Sequence, residues 1–115
     1  MCIRDSMATA RKIAPPRTVK VLCSTYRVRF VPYTEATAAK ASGWCDFDRQ
    51  EIVLSRDMVN TTLADTFHHE VMHAIGFSMG VDWDCEERVV GTMATGLTTF
   101  WQANPVALRW WSSLL

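Results

Sequence analysis

The stretch Thr61-Thr-Leu-Ala-Asp-Thr-Phe-His-His-Glu-Val-Met-His-Ala-Ile-Gly-Phe-Ser-Met-Gly80 decides how the rest of the chain is interpreted. Its apolar residues recur at helical spacing and cover most of the circumference of a helix predicted from Thr61 to Met79. Asn60 and Thr61 are suitable N-cap residues, and Gly80 is a natural C-terminal stop. A helix that is apolar nearly all round is expected to be buried.

The remaining arc of this helix is polar and carries His69, Glu70 and His73, a His-Glu-x-x-His motif. The two imidazoles lie about 40° apart around the helix and one turn apart along it, so both can reach one metal ion. Neutral imidazole suits Zn²⁺, which keeps a fourth position for water in catalytic centres. Glu70 is placed to take a proton from that water and not to bind the metal. The plainer alternative is a helix with surface histidines, and His68, off the polar arc, is expected to be structural or exposed.

A catalytic zinc site needs a third protein ligand, but no histidine follows His73. Met79 stands where the longer H-E-x-x-H-x-x-G-x-x-H pattern has its last histidine, which excludes that pattern. The ligand must therefore be a carboxylate or a cysteine. Glu86 and Glu87 open the predicted second helix, where acidic residues also complement the helix dipole. For Cys85, an ordinary buried thiol is the more common role.

The segment Glu87-Arg-Val-Val-Gly-Thr-Met-Ala-Thr-Gly-Leu97 resembles the second helix of the ImmA/IrrE-like zinc peptidases, in which small residues follow a ligand glutamate at the fourth and seventh positions. Gly91 and Ala94 stand at those positions after Glu87. The resemblance therefore implies Glu87 as the third zinc ligand. Glu86 remains the alternative, because the apolar face of the same helix would put it nearer the core.

The wider layout is similar to that of small H-E-x-x-H proteins carried by phages and prophages. The resemblance implies an α+β fold of minimal zincin type, in which a small antiparallel or mixed β-sheet packs on the motif helix and on a second, Glu-bearing helix. It also implies a zinc metallopeptidase that cleaves a protein or peptide substrate in the cytoplasm of a bacterial host. The predicted elements are a hairpin over Val19–Val31 turning near Ser24, a helical turn over Thr34–Ala41, a strand pair Trp44–Phe47 and Glu51–Leu54, and helices from about Asp84 to Gln102 and Val106 to Leu115.

Two functional hypotheses follow from these residues. In the first, zinc held by His69, His73 and Glu87 serves peptide hydrolysis with Glu70 as the general base, and an edge strand, Glu51 to Leu54, holds the extended substrate. In the second, the same scaffold is a non-catalytic, zinc-stabilised module that binds another protein. An assay of proteolysis distinguishes them.

Composition narrows the class of protein. Twelve Lys and Arg balance twelve Asp and Glu, so the charge gives no indication of a nucleic-acid partner. No apolar run approaches the ~20 residues that span a bilayer, and the residues that follow Met7 contain no apolar segment of the kind found in a secretory signal, so a soluble, cytoplasmic protein is expected. Cys23, Cys45 and Cys85 form no C-x-x-C pair, which suits a reducing compartment.

The domain organisation is predicted to be simple. Residues 1–6, Met-Cys-Ile-Arg-Asp-Ser, resemble a translated sequencing adapter and are set aside from fold reasoning. Residues 7–18 are expected to form a flexible N-terminus. Residues 19–115 then form a single domain of a size that supports one modest core.

Overall fold

The computed structural model describes residues 13–81, 84 and 86–115, except for the side chains of residues 86, 87, 90 and 91. The predicted adapter segment, residues 1–6, lies outside the described residues, and so do residues 7–12 of the predicted N-terminus. The described part is α+β, as predicted. Its elements are β1 (Thr18–Val21), β2 (Ser24–Val31), α1 (Tyr33–Ala39), β3 (Gly43–Asp46), β4 (Glu51–Ser55), α2 (Asn60–Met79), α3 (Glu86–Ala103) and α4 (Pro105–Ser113).

The four strands form one mixed sheet in the order β1-β2-β4-β3. The predicted hairpin is confirmed, because β1 and β2 pair antiparallel around a turn in which Leu22 has a φ of 56°. The predicted pair β3–β4 is also antiparallel. The prediction that Glu51–Leu54 forms an edge strand is wrong, because β4 pairs in parallel with β2 and lies inside the sheet. A strand covered on both faces is expected to be continuously apolar, as Ile52-Val53-Leu54 is.

Helices cover the two faces of the sheet unequally. On one face α2, α3 and α4 close the main core, in which Tyr26, Ile52 and Leu54 of the sheet pack with Phe67 and Phe100 of the helices. On the other face α1 covers a smaller cluster formed by Val31, Ala36, Val53 and the partly buried Trp44. The alternation of side chains along β2 and β4 divides the two clusters. Among the described helices, none is both long and apolar enough to cross a membrane.

The C-cap of α2 is the residue that the sequence predicted, but the N-cap is not. Gly80 is the C-cap with a φ of 61°, and its N–H bonds the carbonyls of Gly76 and Phe77. The N-cap is Val59, with no side-chain capping bond, so the prediction of Asn60 or Thr61 as the N-cap is wrong. Asn60 belongs to the first turn and has a φ of 51°, a conformation that asparagine tolerates.

A glycine sets the distance between α2 and α3. A Cβ added at Gly96 of α3 would lie 2.4 Å from Ile75 Cγ2 of α2, closer than packed carbons approach. Only a residue without a side chain fits this contact. The helix that begins at Glu86 is therefore held close against the helix that carries the histidines.

Candidate metal centre

The two motif histidines of α2 converge at the protein surface. His69 and His73 are exposed, and their Nε2 atoms lie 3.1 Å apart. Two nitrogens bound to one tetrahedral zinc ion at ~2.0–2.1 Å are separated by about 3.3 Å. The rings are inclined to each other by 71°, with centroids 4.7 Å apart. Their nitrogens thus have nearly the separation that a shared zinc ion requires.

The polar arc predicted on α2 is divided in the structure. His69 and His73 face solvent, whereas Glu70 is only 6% exposed and lies on the side of α2 that packs against the sheet. Burial raises the pKa of the Glu70 carboxyl, and the neighbouring charges of His69 and His73 oppose the shift. A buried carboxylate with increased proton affinity is suited to accept and release protons.

Cys45 of β3 interacts electrostatically with this carboxylate. Burial raises the pKa of Cys45 to about 12, and the charges of Glu70 and then Asp46 contribute to the same shift. A thiol in such an environment stays protonated at neutral pH, so it is neither a thiolate nucleophile nor a ready metal ligand. Cys23 and Cys45 are both free.

Strand β3 runs alongside α2 with alternate residues facing the helix. A Cβ added at Gly43 would lie 2.9 Å from Thr66 Cγ2, so the absence of a side chain at Gly43 permits this close approach. Two residues further on, Cys45 lies on the same face of the strand as Gly43, and Phe47 then stacks on Phe77 at 4.3 Å with the rings 4° from parallel. The strand therefore follows the motif helix past its histidines.

The outer edge of β3 lies open beside the motif helix. Among the described residues, no strand pairs with this edge. Ser55 N–H donates to Ser42 O at 2.8 Å, which fixes the alternation of the β3–β4 ladder. Trp44 and Asp46 consequently direct their main-chain groups towards β4, and Gly43 and Cys45 direct theirs outward. Gly43 and Cys45, on the strand that runs alongside α2, thus offer main-chain groups to an incoming strand.

The structure leaves the predicted third ligand open. Residues 86 and 87 belong to the first turn of α3, but the side chains of Glu86 and Glu87 lie outside what is described, as does all of Cys85. Within the described residues, no group of three His, Cys, Asp or Glu side chains is arranged to hold a metal. A third ligand for a metal at His69 and His73 would therefore have to come from a residue whose side chain is not described or from outside the chain.

The burial pattern of α3 affects the choice between the two glutamates. Met93, Gly96 and Phe100 are buried, whereas Ala94 is exposed. The close contact with α2 is made at Gly96, so Ala94 does not serve the close packing that the sequence indicated after Glu87.

His68 takes a structural position, in contrast to its neighbour His69. Its ring stacks on Trp101 with centroids 6.4 Å apart and lies 5.7 Å from Trp111. Burial lowers the pKa of His68, although the charge of Asp65 opposes the shift, and its Nδ1 is buried with no hydrogen-bond partner among the described residues. This histidine packs α2 against the C-terminal helices.

No protein-family model matches this chain, and no curated protein or solved structure matches it either. The chemistry available at the site is that of its own described side chains: two converging imidazoles, one buried carboxylate and one protonated thiol.

Proposed function

We propose that this protein is a zinc-dependent metallopeptidase with a minimal zincin-like fold. His69 and His73 would hold the metal together with a glutamate from the start of α3. Glu87 is the ligand implied by the resemblance, and Glu86 is the alternative, because the apolar positions of the same helix in the sequence would put it nearer the core. The observation that carries the proposal is the 3.1 Å separation of the two Nε2 atoms.

Glu70 is the proposed general base. When bound, zinc would lower the pKa of its water towards neutrality. Glu70 would accept the proton from this water and deliver it to the leaving amine of the peptide. The raised pKa of this buried carboxyl supports the assignment, because a base works best when its pKa lies nearer the operating pH.

The open edge of β3 is the proposed binding site for an extended peptide. The free main-chain groups of Gly43 and Cys45 would pair with the peptide in the manner of an added strand. The peptide would then run beside α2, along the strand whose Cys45 interacts electrostatically with Glu70. The exposed ring of Phe77, stacked on Phe47, would meet an apolar side chain of the substrate beyond His73.

The test is a comparison of Glu70→Gln with wild type in both zinc content and peptide cleavage. Glu70→Gln should keep its zinc and lose about 10² to 10⁴ in rate, the usual contribution of general base catalysis. Asp65→Asn is the matched control, because Asp65 is exposed and lies on the same helix five residues earlier. Full activity in Glu70→Gln would contradict the role assigned to Glu70.

A non-catalytic, zinc-stabilised binding module is the second candidate. The feature that favours it is the exposed Phe77 beside the unpaired edge of β3, because these groups can hold a protein segment without cleaving it. Binding of a peptide that wild-type, zinc-loaded protein never cleaves would select this function over hydrolysis.

A further inference from the structure

The adjacent parallel strands β2 and β4 are followed by helices that lie on opposite faces of the sheet. After β2 the chain enters α1, which packs on the face of the sheet that carries Val31 and Val53. After β4 the chain enters α2, which packs on the opposite face with Ile52 and Leu54. When adjacent parallel strands send their connections to opposite faces, a crevice opens outside their carboxyl ends, and ligands commonly bind there. The ends of β2 and β4 form such a crevice.

A cavity of about 290 Å³ occupies this position. Its polar lining comes from α1 and the ends of the strands: Tyr33, Thr37, Lys40, Ser42, Ser55 and Asp57. The volume is at the lower end of the range for ligand pockets, so the cavity suits a small metabolite. None of the lining residues belongs to α2, and the cavity is therefore separate from the candidate metal centre.

The cavity is lined by one positively and one negatively charged side chain, Lys40 and Asp57, which do not pair with each other. Ser55, only 1% exposed, donates its hydroxyl proton to Asp57 Oδ1 and thereby fixes this carboxylate. Lys40 is the C-cap of α1, with a φ of 58°. Among the described residues, neither Lys40 nor Asp57 takes part in an ion pair. A ligand with one ammonium and one carboxylate would satisfy both charges.

We propose that this cavity binds a small zwitterion of the size of an α-amino acid. The ligand's carboxylate would pair with the Lys40 ammonium, and its ammonium would pair with the Asp57 carboxylate. The hydroxyls of Thr37 and Ser42 supply further hydrogen-bonding groups. This binding is independent of the proposed peptidase activity, since no lining residue is shared with the metal centre.

The test is a titration of the full chain followed by amide NMR, with three probes of nearly the same size. L-Alanine carries both charges, L-lactate has a hydroxyl in place of the ammonium, and L-alaninamide lacks the carboxylate. L-Alanine should shift the amides of Thr37, Ser42 and Ser55, and each of the other two probes should bind at least about tenfold more weakly. Equal binding of all three probes, or no shifts with L-alanine at millimolar concentration, would overturn the proposal.

Two kinds of variant separate recognition from folding. Lys40→Gln should weaken L-alanine binding at least about tenfold, and the exposed neighbour Arg56→Gln, which does not line the cavity, should not. Ala41→Leu changes no charge but fills part of the cavity, and it should abolish binding while the rest of the spectrum stays unchanged. Unaltered binding in both Lys40→Gln and Ala41→Leu would place the ligand elsewhere and contradict the proposal.

Discussion

The two edge strands of the sheet, β1 and β3, differ in whether their outward main-chain groups are hydrogen-bonded. At the β1 edge, the Asn104 side chain accepts a hydrogen bond from Lys20 N–H and donates one to Lys20 O, both at 2.9 Å. One amide thus pairs with β1 as a residue of a neighbouring strand would. At the β3 edge, the outward groups of Gly43 and Cys45 meet no strand among the described residues. Exposed edges can pair with another chain, and the open edge of β3 is the one that runs alongside α2.

The largest effect should come from proline substitutions that distinguish the two sides of β3. Trp44→Pro removes a donor directed at β4 and the packing of Trp44 against Val53, and it should lower the free energy of unfolding by at least about 3 kcal/mol. Cys45→Pro removes an outward N–H and should leave the β3–β4 ladder intact. It should instead weaken peptide binding about tenfold, the effect of one lost hydrogen bond.

Urea denaturation and peptide titration measure the two effects separately. Trp44→Ala is the control that removes the ring but keeps the donor. If Cys45→Pro proved as unstable as Trp44→Pro and bound peptide normally, the assigned alternation along β3 would be wrong.

The next effect concerns the closed edge. Asn104→Ala would leave Lys20 N–H and the carbonyls of Lys20 and Phe100 without their partner, since Asn104 also donates to Phe100 O at 2.8 Å. The cost should be about 1–3 kcal/mol in the free energy of unfolding. Hydrogen exchange at the Lys20 amide should accelerate as well. The exposed neighbour Gln102→Ala should change neither quantity, and slow exchange at Lys20 in Asn104→Ala would show that something else protects β1.

The smallest effect belongs to the interior of the sheet. The hydrogen bond from Arg27 holds the pKa of the 4% exposed Glu51 below its ordinary value, with Arg29 contributing, although burial opposes the shift. Stability from this pair is therefore present above the unfolded-state pKa of glutamate and is lost as the pH falls through the lowered pKa. Because Arg27 is 65% exposed, the loss should be on the order of 1 kcal/mol.

Glu51→Gln should flatten the acid limb of the stability curve, as measured by thermal melts over acid and neutral pH. Glu35→Gln, at an exposed position on α1, should leave that limb unchanged. An unchanged acid limb in Glu51→Gln would show that other carboxylates govern acid unfolding.

Local sequence patterns predicted most of the elements. The 3.6-residue period and Gly80 predicted α2 almost to the residue, alternation predicted the β1–β2 hairpin, and the polar residues 48–50 predicted the turn between β3 and β4. The position of β4 inside the sheet depends on parallel pairing with β2, which joins segments that are distant in sequence and leaves no local signal. The N-cap prediction was wrong because Asn60 was taken into the helix itself.

The candidate site was predictable only in part. The motif spacing placed His69 and His73 on one side of α2, as their convergence shows. The burial of Glu70 could not be predicted. Helical spacing predicts in which direction a side chain points from the helix axis, but it does not predict which element packs on that side. Gly43 was a weak signal for the close approach of β3. The structural position of His68 depends on Trp101 and Trp111, which come from helices much further along the chain.

Zinc content measured by elemental analysis, on protein purified without added metal and then loaded and dialysed, tests the central claim most directly. Wild type and His68→Phe should each retain one zinc ion per chain. His73→Ala should bind zinc at least about 100-fold more weakly, because even the loss of an outer hydrogen-bond partner costs a zinc site 10- to 100-fold. Wild-type protein without zinc, or His73→Ala with undiminished zinc, would contradict a metal shared by His69 and His73.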